Sequence, residues 1–155
     1  MTRVALSLHL LAVALTVGPV TVAAALFPRA VREGDPRLAA FLHRTCRVYG
    51  VLGLAVPTFG ILTAVQLGVL DEPWIWAALV LTLVAGVLLG AVLVPAQRAV
   101  LTAVAPAAAG PDGGPAPAPA EGPLRRLGTV AGVFSLLWAV VLVLMVFRPG
   151  STTGA

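Results

Sequence analysis

The sequence has no lysine, one cysteine and only six acidic residues. Each shortage excludes something. A single thiol, Cys46, rules out an internal disulfide and any metal site made of thiolates alone, and it reads as a small packing residue. Charged residues make up 10% of the chain, against about 25% in a soluble domain. There is no C-x-x-C pair, no H-E-x-x-H, no phosphate-binding P-loop and no carboxylate inside any long apolar run. Without an acid, base and nucleophile in one place an enzyme is not expected, and no catalytic residue is assigned. An ion-coupled transporter needs an ionisable group at mid-depth, which these runs lack. Small multidrug exporters, also four-helix proteins, depend on a membrane glutamate that is missing here.

What the chain has is apolar side chains, 59% of the total, with a mean hydropathy of +1.02. A folded chain of this size leaves too much area exposed to hide that surface from water, so lipid must supply the apolar surroundings. A membrane-spanning helix needs about 20 apolar residues. Four runs qualify, at about 4–27, 48–70, 74–94 and 127–147, and none holds Asp, Glu, Lys or Arg. The expected fold is all-α: one polytopic membrane domain over residues 1–155, a four-transmembrane-helix bundle.

The first run has features of a secretory signal: Arg3, an apolar core, Gly18-Pro19, and Val22-Ala23-Ala24. Cleavage there would place an arginine-rich segment outside the cell, so a retained helix bent at Gly18-Pro19 is expected. All ten basic residues are arginines. Eight of them, Arg29, Arg32, Arg37, Arg44, Arg47, Arg98, Arg125 and Arg126, fall in the first and third connections; only Arg3 and Arg148 lie elsewhere. Basic residues stay in the cytoplasm, so both termini are expected outside, in the inner membrane of a bacterium. In such a chain a net charge of +4 marks cytoplasmic connections rather than nucleic-acid binding. Asp71-Glu72-Pro73 forms the short outer turn, followed by Trp74 and Trp76 at the interface.

The first connection, 28–47, contains Asp35-Pro36, a helix start with a side-chain acceptor and then proline at the first helical position. The second helix is therefore expected to begin before the membrane and continue into it, with nothing to break it before Pro57. Arg37, Arg44 and Arg47 share one face of that helix. They form either a collar on anionic lipid head groups or a docking surface for a partner or a phosphorylated ligand. Residues 106–123 hold six prolines and four glycines and read as a disordered linker; the tail, 148–155, reads the same way. Gly86 with Gly90, and Gly128 with Gly132, form small-xxx-small pairs at matching depth. Close backbone approach drives association in lipid, so these two pairs are expected to touch.

Among polar residues within the runs, the hydroxyls can bond to their own helices. That leaves His9 and Gln66 as the residues most open to a ligand. Antiparallel pairing puts both in the outer half of the bundle, where they are expected to meet. A neutral His9 bonded to Gln66 or to a backbone carbonyl is one reading; ligation of haem or copper is another. Proton transfer is a third, though it lacks an acidic partner. His43 lies near the opposite end of the second helix, too far from His9 to share a metal or a haem.

Several features recur together: Leu8-His9-Leu10 with Gly18 in the first helix, the Phe27-Pro28-Arg29 exit, the Asp35-Pro36 start, and Pro57 with Thr63 in the second span. In these the chain resembles a family of bacterial four-helix membrane proteins of unknown function, distantly similar to copper-resistance D-type and HemJ-like membrane proteins. The resemblance covers about residues 4–98. It implies a haem-binding first-helix histidine, which His9 matches. The tryptophan of HemJ-like proteins about two turns later is replaced by Thr16 and Val17, and their later lysine has no counterpart. Taken together, the expected function is that of a non-enzymatic accessory or scaffold protein, with no certain cofactor. Its partners are the lipid bilayer and a second copy or another membrane protein. A haem- or copper-binding protein is the alternative, and small-solute transport a further one. Orientation is testable. In an Ala116→Cys variant, an impermeant maleimide should label the linker only after cells are opened; labelling of intact cells contradicts the topology.

Overall fold

The computed structural model describes residues 2–104 and 120–149, and these are helical apart from short turns, with no strand among them. Four helices are long and apolar enough to cross a membrane: Arg3–Arg32, Pro36–Leu67, Pro73–Val104 and Glu121–Phe147. The expected linker over 106–119 and the tail over 150–155 lie outside the described residues. All four helices extend beyond the apolar runs at the ends that carry the arginines, whereas the second stops at Leu67, short of the expected limit near residue 70.

The first, α1 (Thr2–Arg32), passes through Pro19 and Pro28 as helix. It ends at Gly34, whose φ of +70° is the left-handed conformation that glycine adopts without strain. Asp35 N donates to Ala30 O and Gly34 N to Val31 O, closing the last turn. Asp35 then caps α2 (Pro36–Leu52), its Oδ1 accepting from Leu38 N at 2.9 Å. The arginine-rich connection expected over 28–47 is thus mostly helix, with a turn at 33–35.

The second long helix breaks between α2 and α3 (Ala55–Leu67), four residues ahead of Pro57. Pro57 has no N–H for the Gly53 carbonyl, and its ring crowds that position. Val56 N takes the carbonyl instead, at 3.0 Å. The α3 helix ends at Gly68, φ +66°. The third long helix runs from α4 (Pro73–Val87) through a π-helical segment, Leu88–Leu93, into α5 (Val94–Val104). Its inward residues Ala85, Leu89, Leu93 and Gln97 are spaced by fours. An α-helix carries such a series roughly 40° around the axis at each step. The wider π turn keeps the series on one face. The fourth, α6 (Glu121–Phe147), follows a heptad instead, burying Leu124, Leu127, Ala131, Phe134, Trp138 and Val141.

The α1 helix is central: it packs on α2, α3 and α6, while α6 also packs on α4 and α5 on α2. One end of the bundle gathers the arginines, and there Arg32 Nε meets Glu121 Oε1 at 3.3 Å, tying α1 to the start of α6. Both side chains are largely exposed, so the pair contributes about 0–1 kcal/mol. The core is built from Ala23, Ala24, Phe27 and Ala30 of α1 against Cys46, Ala85 and the α6 heptad. Phe134 and Trp138 stack edge to face, centroids 6.4 Å apart.

The glycine pairs do not form that core. Gly86, Gly90, Gly128 and Gly132 are all exposed, and a Cβ on any of them would meet nothing within 4 Å. The contact of α4 with α6 uses the adjacent alanines: Ala85 is 0% and Ala131 2% exposed. Spacing alone could not decide this, because each glycine lies one residue beyond a buried Ala85, Leu89, Leu127 or Ala131 and so points about 100° away. Ala85→Leu and Ala131→Leu should therefore lower thermal stability in detergent, each by about 1–3 kcal/mol. Gly128→Ala and Gly132→Ala should leave it unchanged or raise it by up to about 1 kcal/mol. A larger loss from the glycine variants contradicts this packing.

Candidate functional site

His9 stands one and a half to two turns into α1, and it is 6% exposed. Its Nδ1 lies 3.0 Å from the carbonyl of Val56, two residues past the break in the second long helix. A carbonyl has no proton to give, so Nδ1 donates. The neutral ring then keeps its lone pair on Nε2. Gly60, one turn further along α3, makes room for the ring: a Cβ there would lie 3.1 Å from His9 Cε1. The imidazole is held between a hydrogen bond and a helix surface with no side chain.

Gln66 plays no part in this arrangement. It is exposed, whereas Thr63 and Ala64 carry the buried face of α3. Gln66 lies six residues past Gly60, roughly 240° around the helix, so the depth match expected from the sequence came without a match of face. Of the two partners open to His9, the backbone carbonyl is the one it has.

His9 lines a groove of about 510 Å³ bounded by α1, α3, α4 and the end of α6. Its walls are mostly apolar; Thr63, Thr82 and Trp76 also line it but donate to backbone carbonyls, which leaves His9, Trp74, Met145 and Arg148 as the groups that could meet a ligand. Trp74 is 8% exposed, and its indole N–H has no hydrogen-bond partner among the described residues. The Arg148 guanidinium carbon lies 5.6 Å from the centre of the Trp74 ring, a cation–π contact at the mouth. Trp76 takes the exposed position expected of an interfacial tryptophan, donating to Leu70 O at 2.9 Å. Trp74, expected beside it, is instead buried under Arg148. Met145 was not legible as a site residue, since nothing in the run Leu142–Phe147 marks which side chain turns inward. Only continuation of the α6 heptad past Val141 points to it.

A second polar cluster lies near the arginine-rich end. His43 Nδ1 is 3.2 Å from Gln97 Oε1, and Gln97 Nε2 donates to Cys46 Sγ at 3.6 Å. Gln97 and Cys46 are 0% exposed and His43 9%. The amide joins two side chains a turn apart on α2, and the π segment turns it inward. Gln97 falls beyond the apolar run ending near residue 94, so the sequence placed it in a connection. Arg37, Arg44 and Arg47 stay exposed on the opposite face of α2, as their spacing predicts. Among the described residues, no three of His, Cys, Asp and Glu come together to hold a metal ion. Comparison with protein families, with curated proteins and with solved structures finds no match.

Replacing Gln97 by leucine removes the partner of two buried groups and should cost about 1–3 kcal/mol. Gln66→Leu, on an exposed face, should change little. Thermal unfolding of both variants in one detergent decides it; equal losses would count against the cluster.

Proposed function

We propose that the protein is a non-enzymatic accessory or scaffold component of a bacterial inner membrane. In this reading both termini are outside, the arginine-rich end is in the cytoplasm, and the chain belongs to the four-helix family it resembles. Its surroundings are the lipid bilayer and a second copy or another membrane protein. The observation that carries the reading is the state of His9. Its only ring proton is engaged by Val56 O, and among the described residues no acidic side chain lines its groove. An apolar groove with one basic nitrogen and no proton donor of matching role holds an apolar molecule; it does not process one.

A second reading rests on the same geometry. A histidine that ligates a metal usually gives its other ring N–H to a carbonyl or carboxylate, which fixes the tautomer. His9 has that arrangement with Val56, and Met145 brings a thioether to the same groove. Imidazole and thioether together suit a haem iron or Cu(I). His9 Nε2 and Met145 Sδ would hold the group, with Arg148 at the mouth for an anionic edge. Bound there, it would supply electron transfer.

The optical spectrum and metal content of the purified protein separate the two. The accessory reading expects a colourless, metal-free preparation from both the natural chain and His9→Ala. A Soret band or bound copper that is lost in His9→Ala, and weakened in Met145→Leu, overturns it in favour of the second.

A further inference from the structure

Gly86 and Gly90, which helix packing leaves unused, have another place in the molecule. They line a second groove, of about 490 Å³, bordered by the α2–α3 break and by the third long helix from Thr82 to Val94. That stretch covers about 18 Å of helix axis, more than half of a hydrocarbon core about 30 Å thick. Because neither glycine has a Cβ and nothing lies within 4 Å of where one would be, the pair forms an open floor. The flanking side chains Val51, Leu54, Leu83 and Val87 are apolar and exposed. Arg47 and Tyr49 stand at the arginine-rich end of the groove. Arg29 and Arg32 are engaged by Glu33 and Glu121, whereas Arg47 is exposed and has no carboxylate partner among the described residues.

We propose that this groove is a specific site for one anionic phospholipid, with an acyl chain along the glycine floor and the phosphate on the Arg47 guanidinium. The site has the same polarity as such a molecule: apolar over most of its length and cationic at one end. Guanidinium presents paired N–H donors that match two phosphate oxygens. Basic pockets between membrane helices bind anionic head groups in this way. Arg37 and Arg44 share the exposed face of α2 but do not line the groove. They attract any anionic surface, while Arg47 alone has an apolar trough behind it.

The full-length protein in detergent, titrated with phosphatidylglycerol and separately with phosphatidylcholine, tests this by native mass spectrometry. One phosphatidylglycerol per chain should be retained in preference to phosphatidylcholine. Arg47→Gln should weaken that adduct about fivefold, the share of one basic residue at a membrane surface, and Arg37→Gln should leave it in place. Gly90→Leu, which fills the floor, should abolish it; Gly90→Ala, whose Cβ enters open space, should lower it in a chain that stays folded. Excess glycerol 3-phosphate should not displace the lipid. Equal weakening by Arg47→Gln and Arg37→Gln, full retention in both Gly90 variants, or displacement by glycerol 3-phosphate overturns the proposal.

Discussion

Inside this bundle His9, His43, Thr63, Thr82 and Gln97 are each met by another protein group, whereas the indole N–H of Trp74 and of Trp138 meets none among the described residues. In a hydrocarbon layer there is no water to complete a hydrogen bond, so a buried polar side chain costs free energy until another protein group meets it. Two such meetings hold distant parts of the chain together. His9 joins α1 to the Val56 carbonyl beside the break, and Gln97 joins the third long helix to His43 and Cys46 of α2. The first makes a helix irregularity serve as an acceptor. The second depends on a π segment that keeps a four-residue spacing on one face. Both irregularities lie in the two helices that flank the second groove, and Gly50 of α2 packs onto Leu89 of the π segment between them.

The rest of the association comes from close packing; in lipid, whose chains are as apolar as leucine, burying one apolar side chain against another would gain little from that alone. Hence the inward faces favour small residues. Ala23, Ala24 and Ala30 on α1, Ala39 on α2, Ala85 on the third helix and Ala131 on the fourth bring backbones close. Phe27, Phe134 and Trp138 fill what remains. Glycine, the residue expected to do this, is kept on the outside at four of its positions. There the missing side chain leaves space, and on the third helix that space is part of a groove.

Much of the fold was legible because its signals are local. Run lengths show four helices, Asp35-Pro36 begins one, and Pro57 disrupts another, though the break falls four residues ahead of it at the carbonyl that proline leaves unserved. The exposed face of Arg37, Arg44 and Arg47 follows from spacing alone. The site was only partly legible. His9 stood out as an ionisable group in an apolar run, but its neighbour did not, since a backbone carbonyl freed near a helix break carries no residue identity. Gln66 had the right depth and the wrong face. Gln97 was hidden by being counted as connection, and Met145 by sitting among side chains as apolar as itself.

The sequence by itself determined the class of the protein: four apolar helices, their order, their charged end and the histidine set among them. Those properties depend on composition and on spacing within one helix. Which face of each helix turns inward was decided only by the tertiary structure. In water, the polar face of a helix identifies the buried one by contrast. Here both faces are apolar, that contrast is absent, and only the fit of neighbouring backbones and the few buried polar groups choose between them.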